Sequence, residues 1–137
     1  MVFNHLAIIT LALFHFILGL VWFSPLLFGE ERNEELSISK KDQQKMIKKG
    51  TAKMLLIGFI PSLVMAYVLA YFIALTAAQT FLAGARVGLL AGIGFVATIA
   101  FSGVLWEKST VKGYLINISY YLIALSIMGG VLAVWKL

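Results

Sequence analysis

The sequence predicts an all-α membrane protein: four transmembrane helices packed as two helical hairpins, with a short basic amphipathic helix in the first cytoplasmic loop. Three observations carry this. Of 137 residues, 61% are apolar and 12% charged, and the mean hydropathy is +0.97. A soluble chain this short leaves a large share of its surface exposed and could not bury so much apolar area. Four apolar stretches reach the roughly 20 residues needed to cross about 30 Å of hydrocarbon. They are too long and too uniformly apolar for the alternating strands of a barrel. The cations, finally, gather in alternate loops. One domain over residues 1–137 is expected. With no cysteine, thiol catalysis, thiolate metal sites and disulfides are excluded, and the redox compartment stays open.

The first span is expected over about residues 5–27. No Lys or Arg precedes its apolar run and no small-residue cleavage site follows, so it reads as a retained helix and not a signal peptide. Its end, Trp22-Phe23-Ser24-Pro25, looks like a helix finishing at a membrane interface.

Loop 28–53 opens with Glu30, Glu31, Glu34 and Glu35. Ser39 followed by Asp42 resembles a capping box, and Gly50 is a helix stop. Between them Lys40, Lys41, Lys45, Lys48 and Lys49 fall on one half of a short helix, with Met46 and Ile47 on the other. Either this helix lies on anionic headgroups, each lysine worth about 1 kcal/mol, or it is a solvated connector.

The second span covers about 54–76. Pro61 removes a backbone donor and releases the carbonyl of Ile57, which predicts a kink with Ser62 available to the freed group. The third span, about 81–106, begins with Gly84, Gly88 and Gly92. Glycine at every fourth position lets another helix approach closely, from this chain or a second copy. The fourth covers about 114–135, and along it Tyr114, Asn117, Tyr121, Ala124 and Met128 form one seam. Gly19-x-x-Trp22 and Gly103-x-x-Trp106 end the first and third spans, a short correspondence consistent with two related hairpins.

Loops one and three carry nine of the eleven lysines and arginines, and the other side only Arg86 and Lys136. The positive-inside bias places those loops in the cytoplasm and both termini outside. The expected location is the plasma membrane, a bacterial inner membrane.

Ionisable groups inside a span are costly and count first as functional candidates. His15 sits near the middle of the first helix, on a seam with His5, Ile8, Ala12, Gly19 and Trp22. By depth, His15, Trp22, Asn117 and Tyr121 converge between the first and fourth helices. Two readings stand: a polar pocket for a headgroup, small solute or proton, or interhelical hydrogen bonds worth about 0.6 kcal/mol each and up to about 2.

No catalytic residue, cofactor or metal site is predicted. Nucleophile elbow, phosphate loop and His-x-x-x-His are missing, and His5 and His15 lie about 15 Å apart along a helix. A basic surface without a soluble domain argues against nucleic acid.

Asn4-His5-Leu6-Ala7, then Gly19-Leu20-Val21-Trp22-Phe23-Ser24-Pro25-Leu26-Leu27-Phe28-Gly29, Val64-Met65-Ala66-Tyr67-Val68-Leu69 and Leu115-Ile116-Asn117-x-x-Tyr120-Tyr121-Leu122-x-Ala124-Leu125 occur in this order. Over nearly its whole length the chain resembles the small four-span membrane proteins catalogued only as a domain of unknown function, the seventeen-sixty-one family. The resemblance implies the four-span architecture and brings no activity. Small multidrug exporters need a glutamate in the middle of the first helix, where this chain has only His15. Dual-topology fluoride channels need balanced cations, which this chain lacks. The expected function is non-enzymatic binding of membrane lipids or a membrane-protein partner, with self-association. The alternative is a small transporter with a pathway along His15, Asn117 and Tyr121.

Overall fold

A computed structural model describes residues 3–22, 52–106 and 110–135. Its long helices are α1 (His5–Trp22) and α2 (Ala52–Thr76), followed by α3 (Phe81–Trp106), whose middle turn Gly92–Ala97 is π-helical, and α4 (Val111–Val134). All four are long and apolar enough to cross a membrane. Residues 23–27 of the expected first span and the expected loop helix lie outside the described residues, as do Lys40, Lys41, Lys45, Lys48 and Lys49.

Caps explain where the helices begin. Asn4 Oδ1 accepts from the Ala7 amide at 3.1 Å and opens α1. Thr80 and Thr110 accept from Ala83 and Gly113, each at 3.1 Å, satisfying amides that a first turn leaves bare. The Thr110 cap starts α4 three residues before Tyr114, its expected start. Hydropathy sees only the first large apolar residue, and the cap decides the turn before it. At the far end Trp135 is extended, so α4 stops at Val134. The second helix likewise starts at Ala52, two residues before the expected boundary.

Helix α2 runs through Pro61 and ends in a Schellman pair: Ala77 N–H donates to Ala74 C=O at 3.2 Å, and Ala78 N–H to Ile73 C=O at 3.3 Å. This requires a left-handed residue. Here it is Ala77, with φ 54°, a conformation that strains any residue with a Cβ.

Helix α3 packs most extensively against α4, and α1 against α2, while α4 also touches α1 and α2. The core mixes two large side chains, Ile8 and Met128, with Ala12, Ala66 and Ala124, all effectively inaccessible. Leu56, Leu90 and Ile99 point outward, where lipid is their solvent.

The glycine ridge of α3 faces α4 of the same chain. A Cβ at Gly84 would fall 2.1 Å from the Gly129 carbonyl oxygen, and one at Gly88 2.0 Å from that of Leu125. At Gly92 it would meet the Leu122 side chain at 2.7 Å. The contact is reciprocal, since a Cβ at Gly129 would lie 2.2 Å from the Gly84 oxygen. In lipid, such backbone approach supplies the van der Waals contact that holds helices together.

Candidate functional site

Three helices meet at His15. Its ring is buried, with Nδ1 2.8 Å from Ser62 Oγ on α2 and 3.1 Å from the Tyr120 hydroxyl on α4. Tyr120 also donates to the His15 carbonyl at 2.5 Å. A phenol has one proton to give. With that proton on the carbonyl, Nδ1 either donates to the Tyr120 oxygen or accepts from Ser62 Oγ, and the two roles belong to different ring tautomers. Nε2 is the other ring nitrogen. Among the described residues it is the one buried side-chain nitrogen or oxygen without a hydrogen-bond partner, and such atoms are rare enough to need a reason.

Glycine makes the meeting possible. A Cβ at Gly19, one turn beyond His15, would lie 2.8 Å from the Tyr120 hydroxyl oxygen. The Tyr120 and Tyr121 rings lie 5.0 and 5.8 Å from that of His15 and 4.7 Å from each other. They give the imidazole an aromatic wall.

Of the four residues expected to converge, His15 and Tyr121 meet through their rings. Trp22 is near α4 through a different bond: its Nε1 donates to the Ile116 carbonyl at 3.1 Å. Asn117 is half-buried, and no hydrogen bond joins it to His15. The partners of His15 are Ser62 and Tyr120, one residue from Tyr121 and about 100° around the helix. Ser62 was expected at the Ile57 carbonyl left by Pro61; its hydroxyl instead bridges to α1. The sequence carried a usable hint, a serine beside the proline at a depth similar to His15. Trp22 and Trp106 also part company, because Trp106 is 85% exposed while Trp22 is engaged with α4.

Beside the cluster lies a concavity of about 520 Å³ between α2 and α3. Pro61, Val64, Val68 and Phe72 form one wall, and Phe95 and Val96 of the π turn the other. Thr98 Oγ1 returns to the Gly94 carbonyl at 2.6 Å, answering a carbonyl that the wide turn displaces. The groove walls carry no charged side chain, and Val64 and Phe95 are open to lipid.

Nearer the termini, His5 Nδ1 lies 2.9 Å from the Tyr67 hydroxyl. Among the described residues no three histidine or carboxylate side chains gather to hold a metal.

No curated protein matches the chain, and no solved structure does. The family model described as "Protein of unknown function (DUF1761)" matches residues 6–133, from the second residue of α1 to the last turn of α4 and through all four candidate spans. The chain belongs to the DUF1761 family.

Proposed function

We propose that this DUF1761 protein is a non-enzymatic multi-pass protein of the plasma membrane that holds one hydrocarbon chain of a membrane lipid in the α2–α3 groove. The observation behind this reading is the shape of the groove. From Ile60 to Phe72 it runs about 18 Å along α2, an elongated apolar trough of about 520 Å³. The walls also lack the glycines, serines and threonines that let a second helix approach. A single flexible hydrocarbon chain matches this elongated shape. The gain is van der Waals contact with a rigid wall, since lipid tails and leucine are equally apolar.

The lysine-rich first loop supports the rest of the picture. Placed in the cytoplasm by the positive-inside bias, with both termini outside, Lys40, Lys41, Lys45, Lys48 and Lys49 would attract anionic headgroups. Self-association remains part of the proposal, through a face other than the groove.

Native mass spectrometry of the protein, delipidated in detergent and supplied with phosphatidylglycerol, tests this reading. One retained lipid per chain is expected, with loss in Val64→Trp and Val68→Trp and retention in Ile99→Trp. Equal retention in all variants refutes it. A change of oligomer size on blocking the groove would assign the groove to a second copy instead.

One observation favours the transporter reading: the buried, unpartnered Nε2 of His15, midway along α1. On that reading, solute or proton flux into liposomes would fall in His15→Ala, with smaller effects at Asn117 and Tyr121.

A further inference from the structure

A second concavity, of about 620 Å³, sits at the end of the bundle that carries both termini. It is bounded by α1, α2 and α4, is open on one side, and shares no lining residue with the α2–α3 groove. Three helix ends build it. Its floor is Ile8, Ala70 and Ala133, all buried. Alanines at positions 70, 74, 77, 78 and 133 line it, so methyl groups stand where longer side chains would fill the space.

The walls are held in place by specific bonds. Asn4 caps α1 with Oδ1 and reaches across with Nδ2 to the Trp135 carbonyl at 3.3 Å, tying the start of α1 to the end of α4. On the α2 side, the Schellman pair and the left-handed Ala77 turn the chain so that Ala78 and Gln79 face the opening. The cavity is therefore preformed by helix ends and does not depend on a mobile loop.

Its chemistry is graded. The floor is apolar, and two aromatic rings, Phe3 and Trp135, flank it. The amides of Asn4 and Gln79 contribute hydrogen-bonding groups at the rim. Among the described residues no charged side chain lines it, so an ionic headgroup would find no counter-charge among them. The depth agrees: α1 starts, and α2 and α4 end, at this level, where a tryptophan sits at the border of hydrocarbon and water. The volume falls within the roughly 300–1,000 Å³ of small-molecule sites, which pair apolar walls with a few placed polar groups.

We infer that this cavity is a binding site for an uncharged amphiphile, with its hydrocarbon body on the alanine floor and a hydroxyl or amide head at Asn4 and Gln79. Such a ligand comes either from the bilayer, as a neutral glyceride, or from water, as a small amphipathic alcohol.

Trp135 reports occupancy directly. In a Trp22→Phe/Trp106→Phe chain reconstituted in phosphatidylcholine vesicles, its fluorescence is followed against two bromine-bearing quenchers. One is a monoacylglycerol brominated on its chain, the other tribromoethanol added from the aqueous phase. Binding gives quenching that saturates, in contrast to the linear rise from bulk collision, and the probe that saturates identifies the source. The saturable component is lost in Ala74→Phe and in Ala78→Phe, two lining positions outside the buried core. It persists in Val68→Phe, which narrows only the α2–α3 groove. Linear quenching by both probes, or saturation unchanged in both alanine variants, overturns the inference. Neither result bears on the lipid-chain reading of the other groove.

Discussion

Adding one methyl group at Gly88 tests the central contact of the bundle. A Cβ there would lie 2.0 Å from the Leu125 carbonyl oxygen and 2.6 Å from its carbon, where ordinary contact begins at 3.4 Å. The shortfall is about 1.4 Å, and it is measured against backbone, which cannot rotate aside as a side chain would. Gly88→Ala therefore forces α3 and α4 apart. The separation also loosens the reciprocal Gly84–Gly129 contact one turn away, where dispersion falls off steeply with distance. Overpacking costs about 1–3 kcal/mol, and a backbone obstacle puts this site at the upper end. Gly94 supplies the control: a Cβ there meets nothing within 4 Å, so Gly94→Ala should be neutral or stabilising by up to about 1 kcal/mol through helix propensity. Unfolding in mixed micelles by titration with sodium dodecyl sulfate, followed by circular dichroism, measures both. If Gly88→Ala is as stable as the parent chain, the close approach of α3 to α4 is wrong.

Three further outcomes are expected. Tyr120→Phe removes a hydroxyl that touches both Nδ1 and the carbonyl of His15 and should cost about 1 kcal/mol, two contacts at about 0.6 kcal/mol each; Asn117→Leu should cost less, and the opposite order in the same titration would refute the assignment. Ala77→Gly relieves a left-handed strain of about 1–2 kcal/mol and adds about 0.4–1 kcal/mol of unfolded-state entropy, so a small rise in unfolding midpoint is expected and a fall would contradict the Schellman geometry. A cysteine placed within residues 28–53 should be shielded from an impermeant thiol reagent in intact cells, and one appended after Leu137 should react; the reverse pattern would invert the proposed topology.

The four spans were legible without coordinates because hydrocarbon imposes a blunt rule. Every backbone amide must be satisfied within its own helix over about 20 residues, and hydropathy records that directly. The glycines at 84, 88 and 92 announced a close helix contact for an equally local reason: a missing side chain permits approach whatever the partner turns out to be. What the residues alone did not settle was rotation about each helix axis. A soluble helix marks its buried face with apolar residues, but here both faces are apolar, so the pattern that would orient α4 is missing. Tyr120 and Tyr121 differ by about 100°, and only packing against α1, with room made by Gly19, chose the first as the partner of His15 and left Asn117 half-buried. The same held for Ser62, whose proline neighbour suggested a local carbonyl while the fold supplied an imidazole across the interface. The two concavities were likewise beyond the sequence. One depends on a wide turn in α3 facing Pro61, the other on three helix ends meeting, and a void is a property of how surfaces fail to fill space, which no single segment encodes.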